Sequence, residues 1–196
     1  MNKINIVILA AGQGKRMNSS LPKVLHKVGS HSMLEHVIST ALSLNPEKLI
    51  IVYGHGGDTV KSAINKSFTE NNFIWVFQDK QLGTGHALKC ALPHLDNDGA
   101  TFVLYGDVPL ISSNTLHHMQ KLYDGGVVML TAQMDNPSGY GRVVRDESFQ
   151  IKCIVEEKDT TQSEKFINEI NTGFYILPNV HLGKWLNKLE NNNSQK

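Results

Sequence analysis

Residues 4–23, INIVILAAGQGKRMNSSLPK, constrain the fold of this chain more than any other stretch. The stretch opens with a continuous apolar run at residues 6–9 and continues into a loop that contains Gly12 and Gly14. An apolar run of this length that ends at a glycine loop predicts a β-strand buried on both faces. Glycine lets backbone N–H groups approach a ligand closely, and Lys15 and Arg16 lie in the same loop. Backbone donors beside cationic side chains favour phosphate, so the stretch predicts a buried strand followed by a phosphate-binding loop.

Two common phosphate loops do not fit this sequence. The dinucleotide-binding fingerprint has a third glycine where this chain has Met17. The P-loop has serine or threonine after its Gly-Lys pair, whereas Gly14-Lys15 is followed by Arg16. The remaining pattern, Leu-Ala-Ala-Gly-x-Gly-x-Arg-Met followed by Pro-Lys, is similar to the signature of the sugar nucleotidyltransferase superfamily. For a glycine pair alone, the alternative is an ordinary strand-to-helix turn with basic surface residues.

Composition limits the class of protein. With 196 residues, 40% of them apolar and 19% charged, the chain is expected to form one globular domain over residues 1–196. A net charge of +1 gives no basic surface for nucleic acid. Cys90 and Cys153 are too few for a disulfide framework, so free thiols are expected. The N-terminal apolar run is too short for a membrane span and lacks the order of a secretory signal, which predicts a cytoplasmic protein.

The order of apolar patterns predicts an α/β fold. Strands are expected at residues 4–10, 48–53, 73–77, 101–105 and 127–132. Helices are expected at 33–42, 58–66, from the end of loop 78–86 to about residue 92, and at 114–124. Ser32 and Glu35 have capping-box spacing, and Asp58 is a candidate N-cap. This alternation predicts a Rossmann-like, mostly parallel sheet flanked by helices on both faces. A β-hairpin at 142–144 and 151–156, a strand at 170–176 and a helix at 180–189 should follow.

Three functional segments follow predicted strands directly. These are the glycine loop, the loop at residues 78–86 and Asp107. Ligands bind beyond the carboxyl ends of the strands in such sheets. The pattern therefore gathers the three segments at one edge of the sheet.

Eight sequence strings match one enzyme family in order over essentially the whole chain. They are LAAGQGKRM (9–17), LPKVLH (21–26), VYGHGG (52–57), QLGTGHA (81–87), YGDVPLI (105–111), GYGR (139–142), IVE (154–156) and EINTG (169–173). With them the chain resembles the uridyltransferase domain of the bifunctional bacterial N-acetylglucosamine-1-phosphate uridyltransferase/glucosamine-1-phosphate acetyltransferases. QLGTGH and EINTG are the most specific of these strings.

The resemblance implies a reaction, its partners and its cofactor. UTP and N-acetylglucosamine-1-phosphate would give UDP-N-acetylglucosamine and pyrophosphate with Mg²⁺, for peptidoglycan and lipopolysaccharide precursors. The sugar phosphate attacks the α-phosphorus in line, so no protein nucleophile is required. Catalysis would depend on positioning and on charge stabilisation.

The resemblance also implies roles for individual residues. Arg16 and Lys23 would face the UTP phosphates, and Asp107 would bind Mg²⁺. The remaining implied substrate-binding residues are Leu9, Ala10, Ala11, Gly12 and Gln78 for uracil and ribose, Gly83 and Thr84 for the base, Tyr105 and Gly106 beside Asp107, and Gly141, Glu156 and Asn171 for the amino sugar.

Each charged residue has a plainer alternative. Asp107 would otherwise cap the turn that follows its strand. Arg16 and Lys23 would otherwise be solvated surface charges, and Glu156 and Asn171 would be surface residues of the hairpin region.

The family's chains are longer than this one. In the family, a further asparagine supplies a second metal ligand. A linker helix and a left-handed β-helix then carry the acetyltransferase site and the contacts of a homotrimer. No hexapeptide repeat occurs here. These residues are therefore expected to form a weak or inactive uridyltransferase, with nucleotide binding left open. The alternatives are a nucleotidyltransferase for a different NDP-sugar and a non-catalytic nucleotide-sugar-binding fragment.

Overall fold

The structure, a computed structural model, describes residues 3–12, 14, 17 and 19–189. The chain forms two compact units. Of the described residues, the first unit contains those up to 128 together with 175–189, and the second contains 129–174.

Within the described residues there are ten strands and five helices. The strands are β1 (Ile4–Ala10), β2 (Lys27–Val28), β3 (His31–Ser32), β4 (Lys48–Tyr53), β5 (Ile74–Phe77), β6 (Ala100–Tyr105), β7 (Val128–Gln133), β8 (Arg142–Arg145), β9 (Ile151–Val155) and β10 (Glu169–Pro178). The helices are α1 (Met33–Leu42), α2 (Gly57–Ser67), α3 (Thr84–Ala91), α4 (Ser113–Leu122) and α5 (Asn179–Asn187). None of these helices is both long enough and apolar enough to cross a bilayer.

The sheet of the first unit has β1 at its centre. Strands β5, β4, β1 and β6 are parallel in that order, with Val7 of β1 opposite Ile50 of β4 and Val103 of β6. The last residues of β10 continue this sheet antiparallel to β6, with Tyr175 opposite Val103. Ile6, Val7 and Ile8 are completely buried. The apolar run at the N-terminus is therefore the doubly buried strand that the sequence predicts.

Helices pack on this sheet through apolar side chains. One buried cluster joins Val7 and Leu9 of β1 to Leu88 of α3 and to Leu182 and Leu186 of α5. Helix α1 also packs against β1. Its predicted capping box is present, because the Ser32 hydroxyl accepts from the backbone N–H of Glu35 and the Glu35 carboxylate accepts from that of Ser32.

The second unit contains the hairpin. Strands β8 and β9 are antiparallel, with Val143 opposite Ile154, as the sequence predicts. Strand β8 pairs in turn with the first half of β10, where Ile170 lies opposite Arg142. The Thr172 hydroxyl of β10 donates to the Leu130 carbonyl of β7 at 2.6 Å.

Two local predictions are wrong. The fifth predicted strand, β7, pairs with β10 and not with the parallel set. An apolar strand pattern does not specify its partner, since pairing depends on distant residues. Asp58 is not the N-cap of α2, because Gly56 caps that helix with a φ of 79° and Asp58 lies in the first turn.

Candidate active site

A cavity of about 300 Å³ opens in the first unit, where β1, β5 and β6 reach their carboxyl ends. Its lining includes nine residues that the sequence analysis assigns to the substrate and metal sites. They are Leu9, Ala11, Gly12, Lys23, Gln78, Gly83, Thr84, Tyr105 and Asp107. The parallel sheet thus brings together segments that are about a hundred positions apart in the sequence. Ligands in such sheets bind beyond the carboxyl ends of the strands, where this cavity lies.

Lys23 and Asp107 form an ion pair in this cavity. The Lys23 ammonium donates to Asp107 Oδ2 at 2.5 Å, and the two side chains are 37% and 29% exposed. Asp107 follows β6, and Lys23 begins a 3-10 turn after Pro22. Both charged groups of the pair are therefore partly accessible from solvent.

Gly14 allows the glycine loop to approach Lys23. Its φ is 58°, which favours glycine, and an added Cβ would lie 2.8 Å from Lys23 Cβ. The rest of the loop includes Arg16, a predicted catalytic residue that lies outside the described residues.

Gln78 is held by the segment that follows it. The residue is 3% exposed, and its amide nitrogen lies 3.2 Å from the Gly83 carbonyl oxygen and 3.0 Å from His86 Nδ1. Helix α3 begins at Thr84, so His86 belongs to its first turn and not to the predicted loop.

Gln81 is a cavity residue that the sequence analysis did not select. Its amide donates to the Ala11 carbonyl at 2.5 Å and so ties the loop after β5 to the end of β1. Gly54 makes room for this contact, since a Cβ there would lie 2.9 Å from Ala11 O and 3.0 Å from Gln81 Nε2. The sequence did contain a signal for this residue, because Gln81 is the first residue of the family-specific string QLGTGHA. Ala87, which ends that string, also lines the cavity.

Ala10 and Gly106 do not line the cavity. They support the junction of β1 and β6, where the Gly106 N–H donates to the Leu9 carbonyl at 3.0 Å. A Cβ at Gly106 would lie 3.2 Å from the Ala10 Cβ. Their positions point to close packing beneath the cavity, and direct substrate contact stays a prediction.

The three residues assigned to the amino sugar lie together in the second unit. The Asn171 backbone N–H donates to the Gly141 carbonyl at 2.8 Å. A Cβ at Gly141 would lie 3.4 Å from Glu156 Oε1 and 3.0 Å from Ile154 Cγ2. A Cβ at position 141 would therefore press on the Ile154 methyl group and would lie in ordinary contact with the Glu156 carboxylate.

The buried side chain of Arg142 holds the loop before Gly141 through hydrogen bonds. The Arg142 side chain is 2% exposed, and its guanidinium donates to the Tyr140 carbonyl and, at 2.7 Å, to Glu157 Oε2. The same carboxylate oxygen accepts from the Gly139 N–H at 3.0 Å. The Gly139 N–H and the Arg142 guanidinium hold the pKa of Glu157 below its usual value. Sequence reasoning did not select Arg142 or Glu157, although both adjoin predicted sugar residues.

A protein-family comparison decides the family. Residues 6–158 match the model of the MobA-like NTP transferase domain. The chain belongs to this family. The matched range includes Lys23, which is predicted to face the phosphates, and Asp107, which is predicted to bind the metal.

The chain is also similar to proteins named bifunctional protein GlmU. The bifunctional protein GlmU of Chromobacterium violaceum is 52% identical over 195 residues, covering 100% of this chain and 42% of the relative. GlmU of Nitrosomonas europaea is 51% identical over 197 residues, with 100% and 42% covered. The chain thus spans about 42% of the length of these relatives. The resemblance drawn from the sequence strings is confirmed.

Solved structures confirm the fold class. A UDP-glucose pyrophosphorylase complexed with UDP-glucose matches with a TM-score of 0.76 and 19% identity over 97% of this chain and 81% of that one. HddC from Yersinia pseudotuberculosis complexed with GMP-PN matches with a TM-score of 0.69 and 20% identity over 93% and 79%. These likenesses confirm the Rossmann-like, mostly parallel sheet flanked by helices.

NTP transferases of this kind use a divalent metal, and Asp107 provides the donor chemistry for one. Among the described residues, no group of three or more His, Cys, Asp and Glu side chains could enclose a metal. A hard cation such as Mg²⁺ needs only one or two carboxylates when phosphates and water supply its other oxygens. The partly exposed carboxylate of Asp107 fits that limited role.

Proposed function

We propose that the protein is a nucleotidyltransferase that converts UTP and N-acetylglucosamine-1-phosphate to UDP-N-acetylglucosamine and pyrophosphate. The observation that carries this proposal is the Lys23–Asp107 pair at 2.5 Å in a cavity lined by the predicted base-binding residues. Identity of about half to the GlmU proteins supports the same substrates. The solved structures that match this chain support only its fold, and the identity of the substrates is part of the proposal.

The cavity offers complementary groups for uracil. Uracil has a donor at N3–H between two carbonyl acceptors. The Gln78 amide oxygen is an acceptor for N3–H, and backbone N–H groups at Gly83 and Thr84 are candidate donors to a carbonyl. Leu9 supplies apolar contact to the ring or the ribose. The pocket therefore suits a pyrimidine with a protonated N3.

The proposed reaction is an in-line displacement at the α-phosphorus. A phosphate oxygen of the sugar phosphate forms the new P–O bond, and the bond to the bridging oxygen of the pyrophosphate breaks. Lys23 stabilises negative charge on the phosphates as a point charge, and Arg16 is proposed to do so through its guanidinium. Asp107 would hold Mg²⁺, which when bound offsets the charge of the triphosphate.

The amino sugar is proposed to bind the second unit. Glu156 offers carboxylate oxygens to sugar hydroxyls, and Asn171 carries both donor and acceptor groups. Gly141 lies beside Glu156, since a Cβ built on it would be 3.4 Å from Glu156 Oε1. This cluster gives the second unit a role in sugar recognition.

Assembly and location are also proposals. The whole protein would work in the cytoplasm as a homotrimer. The acetyl transfer that the sequence resemblance implies is not assigned to these residues. The described cysteines, Cys90 and Cys153, are free. This is compatible with a reducing compartment.

Calorimetric titration with UTP and with UDP-N-acetylglucosamine, beside a pyrophosphate-release assay, tests the proposal. Binding of both ligands is expected, with weak or no turnover from these residues alone. The same assays with CTP, GTP and dTTP distinguish a transferase of another NDP-sugar. A chain that binds none of these nucleotides would refute the proposed function. If the wild-type chain shows measurable turnover, an Asp107→Ala variant that retains all of it would remove the assignment of Asp107.

A further inference from the structure

The residues assigned to the amino sugar adjoin one paired row of the second unit's sheet. In that row Arg142 of β8 lies opposite Val155 of β9 and Ile170 of β10. Each assigned residue is the immediate chain neighbour of one member of the row, and the three are Gly141, Glu156 and Asn171. Because Arg142 belongs to the central strand of the three, its contacts act on the segments that carry all of them.

The Arg142 side chain carries a buried charge that joins two of these segments. The side chain is 2% exposed, and its guanidinium donates to the Tyr140 carbonyl and, at 2.7 Å, to Glu157 Oε2. The same oxygen of Glu157 accepts from the Gly139 N–H at 3.0 Å. A guanidinium and a backbone N–H only donate, and an ionised carboxylate only accepts. The donors and acceptors of this network therefore have a single assignment.

The network holds the chain neighbours of two residues assigned to the sugar. Tyr140 precedes Gly141, and Glu157 follows Glu156. A buried guanidinium that loses its carboxylate is left as an uncompensated charge and must reach water or another acceptor. The Gly139 N–H loses its acceptor in the same event. Loss of the carboxylate therefore releases the loop before β8 from the end of β9.

We propose that Glu157 is a positioning residue for recognition of the amino sugar. Its carboxylate ties Arg142 and Gly139 to the end of β9 and so fixes the separation of Gly141 and Glu156. The two adjacent carboxylates then have different roles, since Glu156 meets the sugar and Glu157 acts through the loop. This inference rests on the proposed function and adds to it a residue that sets the geometry of the sugar site.

The test is calorimetric titration of the whole chain with UDP-N-acetylglucosamine and with UDP, which lacks the sugar. The ratio of the two affinities measures the contribution of the sugar. Glu157→Gln keeps the size of the side chain and removes its charge. UDP-N-acetylglucosamine affinity is expected to fall by about fivefold, the effect of one ordinary hydrogen bond to the sugar. UDP affinity should stay the same, so the ratio falls with it.

Glu169→Gln is the matched control. Glu169 lies in the same unit and accepts from the Arg145 guanidinium at 2.6 and 2.7 Å, so this variant also loses an ion pair with an arginine. That arginine donates to the Phe149 carbonyl and not to the loop before Gly141. The control should keep the wild-type ratio. Melting temperatures of both variants then separate loss of stability from loss of positioning.

A second variant removes the other partner of the network. Arg142→Met replaces the buried charge with an apolar side chain of similar length, which avoids an unpaired charge. It should lower the ratio as Glu157→Gln does. In the Arg142→Met background, Glu157→Gln should have a smaller further effect, because the two residues act through one contact. If Glu157→Gln does not fold, Arg142→Met decides, and a full wild-type ratio in it refutes the inference.

The failure of this inference can be distinguished from the failure of the proposed function. A wild-type chain that binds neither ligand refutes both. A wild-type chain that binds UDP-N-acetylglucosamine no more tightly than UDP removes the sugar site from the second unit, and this inference with it, while nucleotide binding stands. A wild-type preference for the sugar nucleotide that folded Glu157→Gln keeps in full refutes the role of Glu157 alone. Equal losses for both ligands, or the same fall in the ratio in Glu169→Gln, also refute that role.

Discussion

Replacing Asp107 with asparagine should tighten nucleotide binding in the absence of metal and reduce the gain in affinity that Mg²⁺ brings. In the structure, the Asp107 carboxylate is paired with the Lys23 ammonium at 2.5 Å, and both groups line the cavity. A triphosphate that enters without metal must replace this pair and meet the carboxylate's negative charge. Asparagine removes the charge and leaves Lys23 available to phosphate, while it weakens the site as a metal ligand.

The size of the effect follows from the exposure of the pair. Side chains that are 37% and 29% exposed are screened by water, so their pairing belongs with partly exposed ion pairs. Such pairs contribute about 0.2–1 kcal/mol, so its loss should tighten metal-free UTP binding by up to about fivefold. With Mg²⁺ present, the wild type should gain affinity and Asp107→Asn should gain clearly less.

Calorimetric titration of UTP with EDTA and with saturating Mg²⁺ measures both effects. Asp79→Asn is the matched control, because this exposed carboxylate also follows a strand of the sheet but does not line the cavity. It should behave as the wild type does. An equal Mg²⁺ effect in wild type and Asp107→Asn would refute the metal role. Weaker metal-free binding by the variant would refute the competition between carboxylate and phosphate.

Three other changes have defined consequences. Gly14→Ala should weaken UTP binding, because a φ of 58° disfavours alanine and the new Cβ would lie 2.8 Å from the Cβ of Lys23. Gly12→Ala should leave the melting temperature unchanged, because a Cβ at residue 12 would have no atom within 4 Å. Ser32→Ala should destabilise the chain by about 1 kcal/mol in urea unfolding through loss of the capping box, and an unchanged midpoint would contradict this. Glu157→Gln should lower the melting temperature at neutral pH, since a backbone N–H and the Arg142 guanidinium lower the carboxyl pKa in the folded state. That stabilisation is present above the unfolded-state pKa of about 4.3 and is lost as pH falls through the lower folded value, so the two melting curves should converge in acid.

Local pattern accounts for the elements that the sequence predicted correctly. The doubly buried run of β1, the capping box of Ser32 and Glu35, and the hairpin of β8 and β9 each depend on residues close together in the chain. Hydrophobic spacing and capping chemistry act over one or two turns or strands, so they can be read from the sequence. The expectation that functional loops share one sheet edge also needs only the order of strands.

The resemblance supplied the identity of the site residues, and their geometry needed the folded chain. Lys23 and Asp107 are 84 positions apart, and nothing local to either residue specifies a 2.5 Å contact. Gln81 reaches Ala11 only because β1, β4 and β5 lie side by side and Gly54 leaves room between them.

The sequence by itself determined the buried first strand, the alternation of helices and strands, and the set of loops that carry polar residues. Tertiary structure decided that β7 joins β10, that β10 runs antiparallel to β6, and that the buried Gln78 amide contacts Gly83 and His86. The physical reason is the distance along the chain over which each kind of interaction acts. Burial and capping preferences are properties of neighbouring residues, whereas strand partners and the orientation of a buried amide depend on atoms brought together only when the chain folds.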